Sequence, residues 1–451
     1  MFVVAVTIAT ALLTCCTTEQ IEESVNLDSQ AQSEALSRAG FVANKPVLVS
    51  SSEVKTYTGR EYLGIVLNDV DFREVGGTLQ DRLKQEFIAR VSERVNGRIG
   101  SRAGGALIGS DEPVALIKYN VCRITYNTED ADGRNVVASA RLVWPTRKEG
   151  ISEVMLCCHG SMSNPDEGPS DKFGLDDVLF TTGAFLVMPD YIGFGATKDR
   201  NQNYLCADVT AKNSIHALLA ALEYINQSSR VSLNMRYKTY IEGFSQGGQV
   251  ALASLKYYQE IELKLRNSVH LEKVICGDGP YSLTETFNYY FDNDMLTLPM
   301  VGAMAVKGMK DTYGSTAGNY EFESYFSESA KESGLVDAVV NRDEIIPMAS
   351  IDCSHKVSEL YSQNVLNRNG MMFKLLYNAL DLNDVTKSWR PRYRLQFFHS
   401  TEDTVVPYAN YTKAYGSLAN KYVEPSVVGE FGDHGKAGVK FYTEMMDGMY
   451  K

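Results

Sequence analysis

The sequence lacks the usual marks of a metal-binding or a nucleic-acid-binding protein. Its eight cysteines include no Cys-x-x-Cys pair, so the spacing found in most structural zinc sites is missing. The formal net charge is -12 and the sequence pI is about 5.2, with acidic and basic residues scattered along the chain. An acidic, unclustered pattern argues against binding to a phosphate backbone. We therefore expect no metal, no other cofactor and no nucleic-acid partner.

A long hydrophobic run is missing as well. The apolar stretch at positions 1–13 is too short to span a bilayer as a helix, but its length and the polar residues after it are typical of a signal-peptide core. It leads into Leu-Leu-Thr-Cys-Cys, which resembles the lipobox of bacterial lipoproteins, where a cysteine is lipidated. We predict a signal peptide over 1–16, export, and attachment to a bacterial membrane through Cys15 or Cys16. Without lipidation, the exported protein would be periplasmic or secreted. The alternative to a signal peptide is a buried strand or helix.

The next hundred residues, 17–115, are predicted to form a tether and a helical extension. Positions 17–45 are rich in Ser, Glu, Gln and Asn without a sustained period, as in poorly ordered segments. Apolar residues then recur every four positions from Leu79 to Val95, which predicts one helix.

From position 116 onward the pattern changes to strands that alternate with helices. Two strand-like runs flank the turn Asp-Ala-Asp-Gly at 130–133 and predict a β-hairpin. Short apolar runs follow, separated by helical segments: V-M-L-C-C (154–158), F-L-V-M-P (185–189), T-Y-I-E-G (239–243), V-I-C-G (274–277) and L-Q-F-F-H (395–399). Such alternation implies right-handed crossovers and a parallel sheet. The predicted fold class is therefore α/β, with a mixed, mostly parallel sheet of eight strands.

One interval does not fit this alternation. About 115 residues separate the run ending at 277 from the next strand, far more than one crossover helix needs. We assign 281–392 to an inserted helical cap, and 116–280 with 393–451 to the catalytic domain. The insertion is rich in Met and aromatic residues. Most of these are expected to form its own core, and some to line an apolar pocket.

The segment E-G-F-S-Q-G-G at 242–248 places Ser245 where a β-prone run gives way to a helical one. This is the Gly-x-Ser-x-Gly pattern of a nucleophile elbow, a strand-to-helix turn too sharp for side chains at Gly243 and Gly247. The same pattern also arises by chance in ordinary tight turns. A nucleophilic Ser245 is therefore a hypothesis that other residues must support.

A serine hydroxyl needs an imidazole to accept its proton and a carboxylate to orient that imidazole. Among the six histidines, His434 lies in a glycine-flanked loop after the last recognisable strand, where a hydrolase base is expected. Asp403 is the preferred acid because it lies in a short loop directly after that strand, with Glu402 and Asp433 as rivals. The order Ser245, Asp403, His434 matches the nucleophile, acid and base order of serine hydrolases built on parallel sheets.

The reaction also needs donors for the oxyanion that forms when Ser245 attacks. One donor is expected from the backbone N–H of Gln246, at the start of the helix after the elbow. The second is expected from the loop that begins C-H-G-S at 158–161, through the N–H of Ser161 or Met162. Loss of such a donor costs about 3 kcal/mol of transition-state stabilisation.

Several motifs give the chain a family resemblance. They are C-H-G-S (158–161), M-P-D-Y-I-G-F-G (188–195), E-G-F-S-Q-G-G-Q (242–249), H-S-T-E-D-T-V-V-P (399–407) and D-H-G (433–435). On them the sequence resembles the α/β-hydrolases and, within these, the secretory lipase family. The resemblance implies an eight-stranded sheet, a helical cap between the sixth and seventh strands, ester hydrolysis, and the roles of nucleophile, acid and base for Ser245, Asp403 and His434. Family members often read H-P-Y-L where this chain has Q-N-Y-L, at 202–205.

The sequence thus predicts a serine hydrolase of the lipase or esterase type, which acts on a small-molecule or lipid ester without a cofactor. A serine peptidase or an esterase for acylated carbohydrates would use the same residues, and the sequence does not separate these activities. A surface binding lipoprotein on a retired hydrolase scaffold is the third possibility. The presence of Ser245, Asp403 and His434 together argues against it.

Overall fold

The structure, a computed structural model, describes residues 47–69, 79–96, 114–147, 149–265, 269–342 and 351–451. The expected signal peptide at 1–16 and the tether at 17–45 lie outside these residues, and both stay predictions. Within the described segments, no helix has both the length and the apolar character required to cross a membrane.

The described strands form one mixed sheet. In chain order they are β1 (Leu48–Ser51), β2 (Lys55–Thr58), β3 (Lys118–Glu129), β4 (Asn135–Pro145), β5 (Ile151–Cys158), β6 (Phe185–Pro189), β7 (Leu233–Phe244), β8 (Leu271–Gly277), β9 (Arg394–Ser400) and β10 (Val427–Gly429). The order across the sheet is β1-β3-β4-β6-β5-β7-β8-β9-β10, and β2 also pairs with β3. The pairs that join β5 to β10 are parallel, which confirms the predicted α/β fold with a mostly parallel sheet.

At the antiparallel end of the sheet, β3 pairs with β4, as predicted, and also with β1 and β2, which were not predicted. β3 and β4 form the predicted hairpin, in register from Tyr119↔Pro145 to Glu129↔Asn135. β1 and β2 pair antiparallel with β3, and the described sheet has ten strands where eight were expected. These two strands are four residues long and largely exposed. They therefore lack the buried alternation from which a strand is recognised in sequence.

The described α-helices are α1 (Gly59–Asp69), α2 (Leu79–Asn96), α3 (Ala207–Gln227), α4 (Gln246–Leu265), α5 (Leu283–Asn293), α6 (Pro299–Tyr313), α7 (Glu328–Glu332), α8 (Leu335–Asn341), α9 (Val357–Leu360), α10 (Gln363–Leu366), α11 (Met371–Asp381), α12 (Ala409–Leu418) and α13 (His434–Met446). Helix α2 confirms the helix expected from the four-residue spacing. Helices α3 and α4 are crossovers that cover the parallel strands.

The N-terminal helices pack on the catalytic domain. Val66 of α1 and Phe87 and Val91 of α2 belong to the same buried cluster as Phe441 and Met445 of α13. Burial of such side chains contributes about 2 kcal/mol each. These helices therefore form part of the core that supports α13, the helix that begins at His434.

The cap lies between β8 and β9, the sixth and seventh of the eight expected strands, and consists of α5 to α11. Its Met and aromatic side chains pack mainly against one another, as predicted, in a buried cluster that includes Met300, Met304, Phe322, Tyr325, Leu360 and Phe373. The same cluster includes Tyr204, Leu205 and Val209 of the catalytic domain, so the cap packs both on itself and on that domain.

Candidate active site

Ser245 lies on the turn between β7 and α4 with φ 60°, in the left-handed region that a serine seldom adopts. A Cβ built on Gly243 would overlap the carbonyl oxygen of Gly247. A Cβ built on Gly247 would overlap the carbonyl oxygen of Cys158 at the end of β5. The turn therefore requires glycine at both positions, and this close approach presents the Ser245 hydroxyl at the carboxyl edge of the sheet.

Replacement of Gly247 by alanine tests this requirement. We expect the variant to lose more than about 2 kcal/mol of stability, because the added methyl group meets backbone atoms that cannot rotate away. The measurement is the free energy of unfolding in urea. Gly416→Ala is the matched control, since a Cβ at this exposed helical position meets nothing within 4 Å and alanine favours a helix. Equal stability of the two variants would contradict the elbow geometry.

Ser245, His434 and Asp403 lie in one hydrogen-bonded row. His434 Nε2 is 2.8 Å from Ser245 Oγ, and His434 Nδ1 is 2.5 Å from Asp403 Oδ2. Because a carboxylate only accepts, the imidazole proton belongs on Nδ1, and Nε2 accepts from the serine hydroxyl. Asp403 Oδ1 accepts the N–H groups of Val405 and Val406 at 2.8 Å and 2.9 Å. The carboxylate is thereby oriented through both of its oxygens.

The rival acids make other contacts. Glu402 Oε2 accepts the N–H of Gly432 at 2.7 Å. Asp433 caps α13 by accepting the N–H of Lys436 at 3.1 Å. The structure therefore places Asp403, and not a rival, against His434. The catalytic role of the three residues stays a prediction.

The three residues expected to form the oxyanion hole, Gln246, Ser161 and Met162, line the same cavity as the nucleophile. The N–H of Gln246 belongs to the first turn of α4, where backbone donors have no partner within the helix. Ser161 Oγ is hydrogen bonded to Tyr204 Oη at 2.6 Å, and the Met162 carbonyl accepts from Gln202 Nε2 at 3.2 Å. The segment Q-N-Y-L thus supports the loop from which the second oxyanion donor is expected.

A cavity of about 470 Å³ surrounds Ser245 and His434, a size typical of small-molecule sites. Cap side chains that line it are Leu283, Phe287, Tyr290, Val301, Ala305 and Leu376. The catalytic domain and α1 add a more polar wall, which includes Asp69, Glu167, Lys172, Asp176, Asp433 and Tyr442. The cavity therefore offers apolar surface from the cap and polar groups from the rest of the molecule.

Two buried acids lie beneath this site. Burial raises the pKa of Asp176 to about 7, although a hydrogen bond from the Tyr442 hydroxyl opposes the shift. Burial and the nearby Asp176 hold the pKa of Glu242 well above its usual range, while a hydrogen bond with the Cys157 thiol opposes the shift. The raised pKa favours the neutral form of Glu242, which carries no charge.

His159 and two residues of the D-Y-I-G-F-G segment, Asp190 and Tyr191, are buried and contact other parts of the catalytic domain. The His159 ring stacks on Tyr191 with centroids 3.8 Å apart, and its Nδ1 bonds the carbonyl of Gly160 at 2.7 Å. Burial lowers the pKa of His159 to about 4. Asp190 is fully buried and accepts hydrogen bonds from Ser139 and Ser170. These contacts support the loop after β6 from below.

Among the described residues, one group has the composition of a metal site. Ligand atoms of Asp278, Asp403 and His434 lie within 4.8 Å of one another. Two of these residues already bond each other, and His434 also contacts Ser245. The atoms that would hold a metal are therefore those that connect the serine to its acid. The six described cysteines are free thiols.

The strand order, the elbow after β7 and the cap between β8 and β9 together define the α/β-hydrolase fold. Solved structures with 14% to 19% identity to this chain resemble it over most of its length. Identity this low establishes a shared fold. No protein-family model matches the chain, and no curated protein matches it, so the resemblance to secretory lipases stays a prediction.

Three of these structures illustrate the similarity. LipA from Xanthomonas oryzae, described as a rice cell wall degrading esterase, has a TM-score of 0.65 and 17% identity, over 89% of this chain and 97% of LipA. A Legionella pneumophila protein whose hydrolase activity is itself only proposed has a TM-score of 0.62 and 19% identity, over 89% and 97% of the two chains. Candida antarctica lipase A has a TM-score of 0.53 and 14% identity, over 70% and 73%.

Sequence reasoning missed residues that border the site. Tyr204 contacts the oxyanion loop, and Asp278 and His399 lie beside Asp403. One signal was available for Asp278, which directly follows the apolar run at 274–277. In a parallel sheet, residues at the carboxyl ends of strands meet at one edge, where functional groups collect.

Proposed function

We propose that the protein is a carboxylic ester hydrolase that forms an acyl-enzyme on Ser245. The observation that carries the proposal is the row Ser245–His434–Asp403, with distances of 2.8 Å and 2.5 Å, at the wall of a cavity of about 470 Å³. The similarity in fold to proteins described as an esterase and a lipase supports esters as the substrates.

In acylation, Ser245 Oγ attacks the ester carbonyl carbon while its proton passes to His434 Nε2. The carbonyl oxygen becomes an oxyanion, for which the N–H of Gln246 and that of Ser161 or Met162 are the proposed donors. Asp403 stabilises the imidazolium that results. When the tetrahedral intermediate collapses, His434 returns the proton to the leaving alcohol and the acyl group remains on Ser245.

Deacylation repeats these steps with water. His434 Nε2 removes a proton from a water molecule, which attacks the acyl carbon, and the same proton is returned to Ser245 Oγ as the acid departs. The two steps together convert an ester and a water molecule into a carboxylic acid and an alcohol. The free enzyme is restored without another reactant.

The cavity favours an apolar acyl group. The cap contributes Phe287, Val301 and Ala305 to its wall, so an acyl chain directed toward the cap leaves water for apolar surface. Each methylene that enters is worth about 0.8 kcal/mol. A peptide substrate would bring polar backbone groups to this apolar wall, where they would have to be desolvated without partners. An ester is therefore preferred over a peptide.

A substrate panel tests the proposal. We expect p-nitrophenyl butyrate and octanoate to be cleaved with a higher kcat/KM than the acetate, and peptide p-nitroanilides to be poor substrates. The panel also includes acetylated xylan, because LipA is described as a rice cell wall degrading esterase, and a triglyceride emulsion, because another structure of this fold is described as a lipase. Turnover of the anilides alone would reject the ester hydrolase.

A substitution in the cap tests whether the acyl chain of the substrate binds in this cavity. Ala305→Phe fills space on the cap wall, so we expect it to lower kcat/KM for the octanoate ester and to leave the acetate ester nearly unchanged. The acetate ester serves as the internal control for folding. Equal losses for both esters would place the acyl group elsewhere.

A further inference from the structure

A second acid, Asp278, lies behind Asp403. It directly follows β8, its side chain is fully buried, and its backbone has φ 35°, in the left-handed region that L-residues other than Gly, Asn and Asp seldom adopt. Its carboxyl lies within 4.8 Å of the ligand atoms of Asp403 and His434. The reaction described above does not use it.

The hydrogen bonds around Asp278 leave one of its oxygens free. Asp278 Oδ1 accepts the N–H of Ser400 at 2.9 Å, and Oδ2 has no hydrogen-bond partner in the described part of the chain. An ionised carboxylate buried in this way beside a second carboxylate would carry an unpaired charge, which is costly. A proton on Asp278 removes the charge and turns an acceptor into a donor.

The groups that face Asp278 also require such a proton. His399 of β9 has Nε2 3.1 Å from the carbonyl of Val406, so Nε2 carries the hydrogen and Nδ1 presents a lone pair, 3.1 Å from Asp278 Oδ1. Burial lowers the pKa of His399 to about 4, which keeps its ring neutral at neutral pH. The other neighbour is the carboxylate of Asp403. Both neighbours are acceptors, so Asp278 can hydrogen bond to either of them only when it carries a proton.

The remaining ionisable groups of this cluster support the same protonation state. His434 of α13 is committed to Asp403 and Ser245. Tyr290 of α5 donates to the Val405 carbonyl in the loop that holds Asp403. Burial and the charge of Asp403 raise the pKa of Asp278 well above its usual range, and the hydrogen bond that a proton on Asp278 would make to Asp403 acts in the same direction. Protonation is thus favoured by geometry and by electrostatics together.

We propose that Asp278 is a positioning residue: as a neutral carboxylic acid it donates a hydrogen bond to Asp403 and fixes the carboxylate that orients His434. This role rests on the proposed function. Asp403 is then held by two backbone N–H groups, by His434 and by Asp278, so its charge cannot rotate away from the imidazole. Because Asp278 is neutral, the Asp278–Asp403 pair carries one negative charge, and not two, next to His434.

Two substitutions separate the hydrogen bond from the charge. Asp278→Asn keeps a donor toward Asp403 and an acceptor for Ser400, so we expect kcat within about threefold of the wild-type value. Asp278→Leu removes the donor and replaces it with a larger apolar side chain, and we expect kcat to fall about 10-fold to 100-fold with little change in KM, as for a displaced catalytic group. Wild-type kcat in Asp278→Leu, or an equal loss in the two variants, overturns the proposal.

A matched pair controls for the general cost of removing a buried acid. Asp384 in the cap is also buried, and its carboxylate accepts from Thr386 and Ser282, away from the triad. We expect Asp384→Asn and Asp384→Leu to change the free energy of unfolding without the difference in kcat that separates the two Asp278 variants. A similar difference at Asp384 would assign the effect to stability, which overturns the proposal.

The pH profile gives a readout that remains available if Asp278→Leu fails to fold. The acidic limb of kcat/KM reports protonation of the catalytic base. If Asp278 is neutral, Asp278→Asn leaves the midpoint of this limb unchanged. If Asp278 is ionised, removal of its negative charge moves the midpoint to lower pH by about one unit or more, and the proposal is wrong.

A spectroscopic measurement separates this proposal from the proposed function. At neutral pH the infrared carbonyl band of a protonated carboxyl should be present in the wild-type protein and reduced in Asp278→Asn, whether or not esters are cleaved. Absence of that difference rejects a neutral Asp278. If the band difference is found but the wild-type protein cleaves no ester, the proposed function fails and the protonated Asp278 stands.

Discussion

Ser245→Ala is expected to lower kcat for a p-nitrophenyl ester by about 10⁶-fold. The serine oxygen forms the bond to the acyl group, and none of the described groups is placed to replace it at His434 Nε2. The free energy of unfolding should change by less than about 1 kcal/mol, since only one half-buried oxygen is removed. The measurements are initial rates, urea unfolding, and labelling with a fluorophosphonate that reacts with an activated serine.

Ser254→Ala is the matched control for this experiment. Ser254 lies on α4, the helix that follows the elbow, and its buried hydroxyl has no hydrogen-bond partner in the described residues. We expect wild-type turnover and wild-type labelling from this variant. A Ser245→Ala protein that still turns over the ester would mean that another nucleophile does the chemistry.

Asp403→Asn is expected to have the second largest effect, a loss of about 10⁴-fold in kcat with the fold intact. The asparagine amide can donate to His434 Nδ1, which would move the imidazole hydrogen to Nε2. In that tautomer Nε2 no longer accepts the proton of Ser245. The loss should therefore appear in kcat more than in KM, and steady-state kinetics on a soluble ester measures it.

Glu402→Gln provides the comparison, because Glu402 was the rival acid on sequence grounds. Its carboxylate accepts a backbone N–H in the next loop and does not contact His434 in the described structure. Activity close to that of the wild-type protein is expected. A larger loss in Glu402→Gln than in Asp403→Asn would reverse the assignment of the acid.

The candidate site was predictable from sequence where local pattern and chain order carried the information. Gly243 and Gly247 lie so close to backbone carbonyl oxygens that a Cβ would overlap them. The elbow could therefore be recognised from the seven residues E-G-F-S-Q-G-G. Asp403 and His434 were proposed because both follow the last recognisable strand, but the structure has His434 as the first residue of α13 and not in the predicted loop. The contacts of Asp278 and His399 with Asp403 were not predictable in the same way, because they depend on burial beside Asp403 and not on the place of either residue in the sequence.

Some elements of the fold were also predictable from sequence, and others were not. β3 to β9 were recognised because buried strands concentrate apolar residues in short runs. The strands β1 and β2 were missed because pairing with β3 at an exposed edge needs few apolar residues. Likewise, the spacing of apolar residues predicted α2 as a helix. The spacing did not show that α1 and α2 pack with α13 and so support the helix that begins at His434.

The sequence by itself determined the fold class, the sharp turn at Ser245, and which carboxylate and imidazole were candidates to act with it. Backbone sterics and hydrophobic periodicity are local, so they can be read along the chain. Only the tertiary structure decided that His434 bonds both Ser245 and Asp403, that the cap supplies an apolar wall, and that Asp278 is buried against the acid. Contacts between distant segments and the loss of water around charged groups exist only once the chain has folded.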